Sequence, residues 1–202
     1  MVRILECGDA GLLVEVGGLD EAMTVHAALT AEPLPGVEEV VPAARTVLLR
    51  LAPGHDPARI AAAVRELPLR SAATRPAGEV EIPVCYDGAD LSDIAAATGL
   101  SETEVVAAHS AATWTVAFCG FAPGFGYLVG DDPRLHVPRR AESRTRVPAG
   151  SVALAGGFTG IYPRSSPGGW QLLGRTDTAV WDLDRDPPGL LRPGVRVRFV
   201  PV

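Results

Sequence analysis

The residues best suited to chemistry fall between Phe118 and Thr176. Phe118-Cys119-Gly120-Phe121-Ala122-Pro123-Gly124-Phe125-Gly126-Tyr127-Leu128 interleaves glycine and proline with aromatic rings. Such a run suits neither a regular helix nor an ordinary strand, because glycine permits sharp turns and close backbone approach. The rings can wall a ligand, with the Tyr127 hydroxyl at the edge, or simply pack a tight β-turn. Further on, Arg144 and Arg146 share one face if their segment is extended. Two guanidiniums on one face suit bidentate contacts with a carboxylate or phosphate; the alternative is a solvated basic loop. Gly150-Ser151 could add backbone donors and a hydroxyl to such a pocket.

Two glycine-rich stretches follow, Gly156-Gly157-Phe158-Thr159-Gly160 and Ser166-Pro167-Gly168-Gly169-Trp170. No helix signal follows them to supply a dipole for a phosphate, so tight hairpins are expected. His109 ends a predicted helix just before this region. It could face the aromatic loop as an acid or base, or sit at the helix terminus as a dipole-stabilised cation. No G-x-S-x-G elbow, H-E-x-x-H or metal-ligand histidine spacing occurs, and no metal site is expected. Cys7, Cys85 and Cys119 are odd in number and widely spaced, which suits small buried apolar residues. Cys119 alone retains a functional alternative, because it lies in the aromatic run.

All 18 basic residues are arginine, and the sequence has neither lysine nor asparagine. A Schiff-base lysine and a G-x-x-x-x-G-K-[ST] phosphate loop are therefore excluded. No motif in this chain binds ATP. Residues 1–133 carry 7 Arg against 19 Asp/Glu, a net of −12, and residues 134–202 carry 11 against 5, a net of +6. The C-terminal third could meet an anionic ligand or an acidic surface, or the two parts could neutralise each other. No apolar run approaches the roughly 18 residues of a membrane span. Glu6 and Asp9 interrupt the stretch a signal peptide would need, so a cytoplasmic location is expected.

The elements that must position these residues read as two domains, 1–77 and 78–202. In the first, Leu12–Val16 is a strand and Asp20 caps a helix to Leu29. Val37–Val41 and Thr46–Leu51 are two more strands, and Asp56-Pro57 starts a helix through Leu67. With Val80–Val84 as a last strand, the order is β-α-β-β-α-β, a ferredoxin-like α+β domain. Ser71–Gly78 reads as the linker. A leading helix pair follows: Asp90 to Gly99, then a capping box of Ser101 with Glu104 to Ala111. Its spacing imitates a helix-turn-helix, but Glu102, Thr103 and Glu104 would face phosphates with negative charge, so no nucleic-acid partner is expected. Val116–Phe118, Ser151–Ala155, Gly160–Tyr162, Gln171–Leu173, Thr178–Trp181 and Val195–Val200 read as strands of an antiparallel barrel or sandwich.

These motifs resemble the B subunit of 5-oxoprolinase, also called allophanate hydrolase subunit 1, a family related to a bacterial inhibitor of a sporulation histidine kinase. The residues that carry the resemblance are His109, Gly120-Phe121-x-Pro123-Gly124-Phe125-x-Tyr127-Leu128, Arg144-x-Arg146-Val147-Pro148-Ala149-Gly150-Ser151-Val152, Thr159-Gly160-Ile161-Tyr162-Pro163 and Ser166-Pro167-Gly168-Gly169-Trp170. Gly8-Asp9-Ala10-x-Leu12-Leu13-Val14 extends it to nearly the whole chain. The resemblance implies a ferredoxin-like domain followed by a cyclophilin-like barrel. It also implies a heteromer with a second cyclophilin-like subunit and a third subunit, which opens 5-oxoproline to glutamate using ATP. The chain alone would be inactive. The alternatives are an allophanate hydrolase subunit and a protein-binding inhibitor of a histidine kinase. Gly126 and Ser143 depart from the family pattern, where alanine and proline are expected. For the site, Arg144 and Arg146 would hold a small anionic substrate, by its carboxylate or as a phosphorylated intermediate, Phe125 and Tyr127 would wall it, Trp170 would also bind substrate, Gly150 and Ser151 would add donors, and His109 would be catalytic.

Overall fold

The computed structural model describes residues 2–68 and 77–202. Contacts divide the chain into two compact units, one to residue 74 and one from residue 75. Most of the linker expected at Ser71–Gly78 lies outside the described residues.

The first unit is a four-stranded antiparallel sheet carrying two helices. Its strands are β1 (Arg3–Glu6), β2 (Gly11–Glu15), β3 (Val37–Pro42) and β4 (Thr46–Leu51), in spatial order β1-β2-β4-β3. Helix α1 (Leu19–Ala31) buries Ala22, Val25 and Leu29, one stripe at helical spacing. Its N-cap is Gly18, and the expected cap Asp20 sits instead in the first turn. Helix α2 (Pro57–Glu66) starts as anticipated, with Asp56 accepting the Ala58 N–H at 2.9 Å. Its buried Ile60 and Val64 join Val14, Val47 and Leu49 in one apolar core.

The ferredoxin-like reading needs correction at one strand. The segment expected to complete this sheet is β5 (Glu79–Val84), and it pairs parallel with β13 (Arg196–Pro201) in the second unit. The place beside β2 is filled by β1, which pairs with it through Arg3↔Glu15 to Glu6↔Leu12. Alternation reveals which residues want burial; it does not reveal which sheet supplies the partner.

The second unit is a barrel. Its remaining sheet strands are β6 (Trp114–Cys119), β7 (Gly126–Val129), β9 (Ser151–Ala155), β10 (Phe158–Ile161) and β12 (Gln171–Arg175). They run in order β12-β9-β10-β7-β6-β13-β5. Cys85 and Arg175 exchange two backbone hydrogen bonds of 2.9 Å, so the edges β5 and β12 meet and the sheet closes. The β5–β13 pair makes the barrel mixed rather than wholly antiparallel. A separate ribbon joins β8 (Arg144–Val147) to β11 (Ser166–Gly168). The strand expected at Thr178–Trp181 is absent as a strand; only Trp181 bridges, to Gly189.

Helices α3 (Leu91–Thr98) and α4 (Glu102–Ala111) pack on β12 and β13 respectively. The capping box of Ser101 and Glu104 is present, and Gly99 ends α3 at φ +72°. Strand β9 is buried at every position, and its period of two divides two cores. Val152 and Leu154 face the main core with Ile94, Val105 and Phe199. Ala153 and Ala155 face a second cluster with Phe125, Tyr162 and Trp170.

Candidate functional site: an aromatic hollow with an arginine at its rim

The aromatic run forms the turn between β6 and β7. Ala122 N–H donates to Gly120 O at 2.7 Å, and Phe125 N–H donates to Ala122 O at 2.9 Å. Phe121 adopts φ +66°, a region that disfavours residues with a Cβ, and its side chain is 59% exposed. Phe125 is the opposite, 1% exposed at the centre of a ring cluster. Its centroid lies 5.1 Å from Tyr127, 5.4 Å from Tyr162 and 5.3 Å from Trp170, all edge-to-face. Gly160 makes this packing possible, since a Cβ there would lie 2.9 Å from Phe125 Cζ and 3.1 Å from the Trp170 ring.

The rings enclose a hollow of about 80 Å³, lined by Phe121, Phe125, Tyr127, Tyr162, Trp170, Gly168, Gly169 and Arg139. Arg139 is the cation at this rim, and its charge partly offsets the rise that burial imposes on the Tyr127 hydroxyl. Burial likewise raises Tyr162. Both phenols therefore stay protonated at neutral pH and can donate hydrogen bonds. A flat, small, anionic ligand fits this chemistry: rings for its faces, hydroxyls for its acceptors and a guanidinium for its charge. The lining holds no histidine, thiol or carboxylate, and its proton-bearing side chains are Tyr127, Tyr162, Arg139 and the Trp170 indole.

A larger open groove of about 570 Å³ lies beyond Phe121, lined largely by apolar residues such as Pro123, Trp181, Pro188 and Leu191, with Arg192. Phe121 borders both spaces. The hollow is the stronger candidate because only there do several rings, phenols and a cation converge.

Sequence reasoning chose Phe125, Tyr127 and Trp170, and the fold brings all three together. It does not bring the chosen arginines there. Arg144 grips Asp90 with two hydrogen bonds of 2.9 and 2.8 Å, and Arg140 also pairs with Asp90. Arg146 is exposed and donates to Ser165 Oγ at 3.2 Å. The expected guanidinium pair is thus separated by partner: one arm is consumed by a buried carboxylate and the other faces solvent. Gly150 N–H donates to Tyr162 O at 2.8 Å, so it is not a free ligand donor. At φ +78°, a Cβ on Gly150 would also collide with Thr176 O, so its role is to let two loops approach. Ser151 is 5% exposed and begins β9.

His109 corrects both of its readings. It is fully buried on the main-core side of the sheet, opposite the aromatic cluster. Thr159 Oγ1 donates to Ala153 O at 3.1 Å, so it accepts from His109 Nε2 at 3.0 Å. Nδ1 is then the acceptor for the Tyr86 hydroxyl at 2.8 Å. Burial lowers the His109 pKa to about 3, which leaves a neutral core imidazole, neither a dipole-stabilised cation nor a group within reach of the hollow. Cys119 donates its thiol to Leu191 O at 3.1 Å and burial raises its pKa, which disfavours the nucleophilic thiolate. Cys7 is exposed, contrary to the expectation of burial.

Four contributors escaped sequence reasoning: Arg139, Tyr162, Asp90 and the Gly168-Gly169 pair. The two glycines do not form a hairpin, because β11 pairs with β8 whereas β12 pairs with β9. Instead a Cβ on Gly168 would collide with the Tyr162 hydroxyl, so the pair makes room for the ring at the hollow wall. Tyr162 and Gly168-Gly169 lie inside the motifs that carry the family resemblance, but nothing in their spacing distinguishes wall from turn. Among the described residues, no three His, Cys, Asp or Glu side chains converge as a metal site. No helix among them is long and apolar enough to cross a membrane.

The barrel carries this aromatic hollow, and sequence comparison places the chain in a family. Residues 2–191 match the family described as carboxyltransferase domain, subdomain C and D, and the chain belongs to that family. Within it, the chain belongs with the B subunits of 5-oxoprolinase. The Bacillus subtilis protein of that name is 36% identical over 98% of this chain and 92% of its own. The Escherichia coli O157:H7 protein is 55% identical over 60% of this chain and 57% of its own length. The solved structure of TTHA0988 matches with TM-score 0.76 at 40% identity, over the whole of this chain and 40% of that one. This chain therefore spans well under two thirds of some relatives and nearly all of others. The Kluyveromyces lactis urea carboxylase, at 22% identity and TM-score 0.81, shares the fold.

Proposed function

We propose that the chain is one subunit of a cytoplasmic, ATP-dependent amidase of the 5-oxoprolinase and allophanate hydrolase type, opening 5-oxoproline to glutamate together with a second cyclophilin-like subunit and a third component. The observation that carries this reading is the hollow itself: rings on its walls and Arg139 at its rim, with no histidine, thiol or carboxylate in its lining. Such a site recognises a small cyclic amide bearing a carboxylate and leaves bond-breaking and ATP chemistry to partner subunits. The name shared by the Bacillus and Escherichia relatives supports the substrate. A urea amidolyase from Saccharomyces cerevisiae, 40% identical over 30% of this chain, favours allophanate chemistry as the second reading.

The deciding experiment is co-purification with the products of neighbouring genes, followed by ATP-dependent hydrolysis of 5-oxoproline and of allophanate. Activity on 5-oxoproline in the mixture, and none from the chain alone, is the expected result. Hydrolysis of allophanate only would move the assignment to the second reading. A mixture active with Arg139→Ala at the unsubstituted KM would remove the hollow from the site.

A further inference from the structure

Asp90 stands at the N-cap position of α3, where its carboxylate would ordinarily accept a helix N–H, yet it makes no capping hydrogen bond. Its side chain turns away and is 1% exposed. It accepts from both Arg144 nitrogens, pairs with Arg140 and takes the Leu172 N–H at 2.7 Å. Burial works to raise this carboxyl, but the Arg144 hydrogen bonds, the Leu172 N–H and the two cationic charges outweigh it and hold the carboxyl below its ordinary value.

None of these partners lines the hollow, but they adjoin segments that do. Arg140 directly follows Arg139, and its own N–H donates to Gly169 O at 2.9 Å. Leu172 lies two residues beyond Trp170, on the strand that follows it. The Arg139 loop is held on its other side by Gln171 Nε2, which donates to Pro138 O at 3.4 Å. One buried carboxylate therefore ties the loop carrying the rim cation to the segment carrying Gly169 and Trp170. A site is only as precise as the shell that holds it, and an exposed arginine on an untethered loop would spend its binding energy on ordering.

We infer that Asp90 is a positioning residue of the hollow, fixing Arg139 relative to Trp170 through Arg140, Arg144 and Leu172. The inference rests on the hollow being the ligand site, as proposed above.

The test measures binding of 5-oxoproline to the full chain by calorimetry, for the unsubstituted protein and for Asp90→Asn, Arg140→Met and Arg139→Ala. Arg140→Met keeps the Arg144–Asp90 pair and serves if Asp90→Asn does not fold. Val105→Ala, in the main core, supplies a variant that loses stability without touching the hollow's lining. The expected result is a Kd at least about tenfold weaker for Asp90→Asn and Arg140→Met, with Val105→Ala unchanged. In the Arg139→Ala background, Asp90→Asn should add nothing further to the loss. An unchanged Kd in the Asp90 and Arg140 variants, while Arg139→Ala abolishes binding, would overturn the inference and leave the hollow standing. Loss of affinity in Val105→Ala to the same extent would also overturn it, by reducing the effect to general stability. Binding unaffected by Arg139→Ala, or none by the unsubstituted chain up to the solubility of the probe, would overturn the reading of the hollow and the inference with it.

Discussion

Tyr86 and His109 are joined by a 2.8 Å hydrogen bond in which the phenol donates to Nδ1 of a fully buried ring. The opposite nitrogen donates to Thr159, and the ring stacks on Phe199 with centroids 4.5 Å apart. Every polar atom of the imidazole is satisfied in the neutral form, and no carboxylate is among its hydrogen-bond partners to stabilise a cation.

Acid should therefore unfold the second unit through His109. Its folded pKa of about 3 lies below the ordinary 6.5, so the unfolded chain binds the proton more tightly. The stabilisation is fully present above pH 6.5 and is lost as pH falls from 6.5 toward 3. The slope is at most about 1.4 kcal/mol per pH unit. Urea unfolding at a series of pH values would measure it, and His109→Gln should flatten the dependence across this window. An equally steep slope in that variant would assign the acid sensitivity elsewhere.

Arg144 and Arg146 should separate sharply on substitution. Arg144→Ala leaves the buried Asp90 carboxylate with Arg140 and one N–H, and should cost about 2–4 kcal/mol of stability. Arg146→Ala removes an exposed side chain bonded to Ser165 and should leave the melting temperature nearly unchanged. Thermal melts of the two variants decide this.

Phe125→Ala should remove the hub of the ring cluster. Truncating a side chain this buried costs about 3–5 kcal/mol, whereas Phe125→Leu should lose considerably less. Near-ultraviolet circular dichroism would report the loosened Tyr162 and Trp170 environments alongside the melt.

Ser101→Ala tests a feature visible in the sequence itself. It removes the acceptor of the Glu104 N–H at 3.2 Å and one arm of the capping box, and should cost about 1 kcal/mol. No change in the denaturation midpoint would show that α4 is held by packing alone.

Local physics was legible along the chain. The Asp56-Pro57 start of α2, the Ser101–Glu104 box, the Gly99 terminator and the strand Ser151–Ala155 all follow from propensity and period, which act over a few residues. Part of the ring wall was legible for the same reason, since Phe125 and Tyr127 stand two residues apart where the turn enters β7, but Tyr162 was not. Strand partnership was not legible. Alternation predicts β5 correctly, but its pairing with β13, 117 residues away from Glu81 at Arg198, has no local signature.

Sequence by itself determined which residues could recognise a small anion: rings, arginines and glycine turns within one third of the chain. Only the tertiary structure decided which arginine lines the hollow. A carboxylate some fifty residues upstream captures Arg140 and Arg144, because a buried charge must be matched, and Arg139 is left to face the hollow. Helix α4, packed on β13, likewise sets His109 in the main core against Trp114 and Phe199, away from the ring cluster.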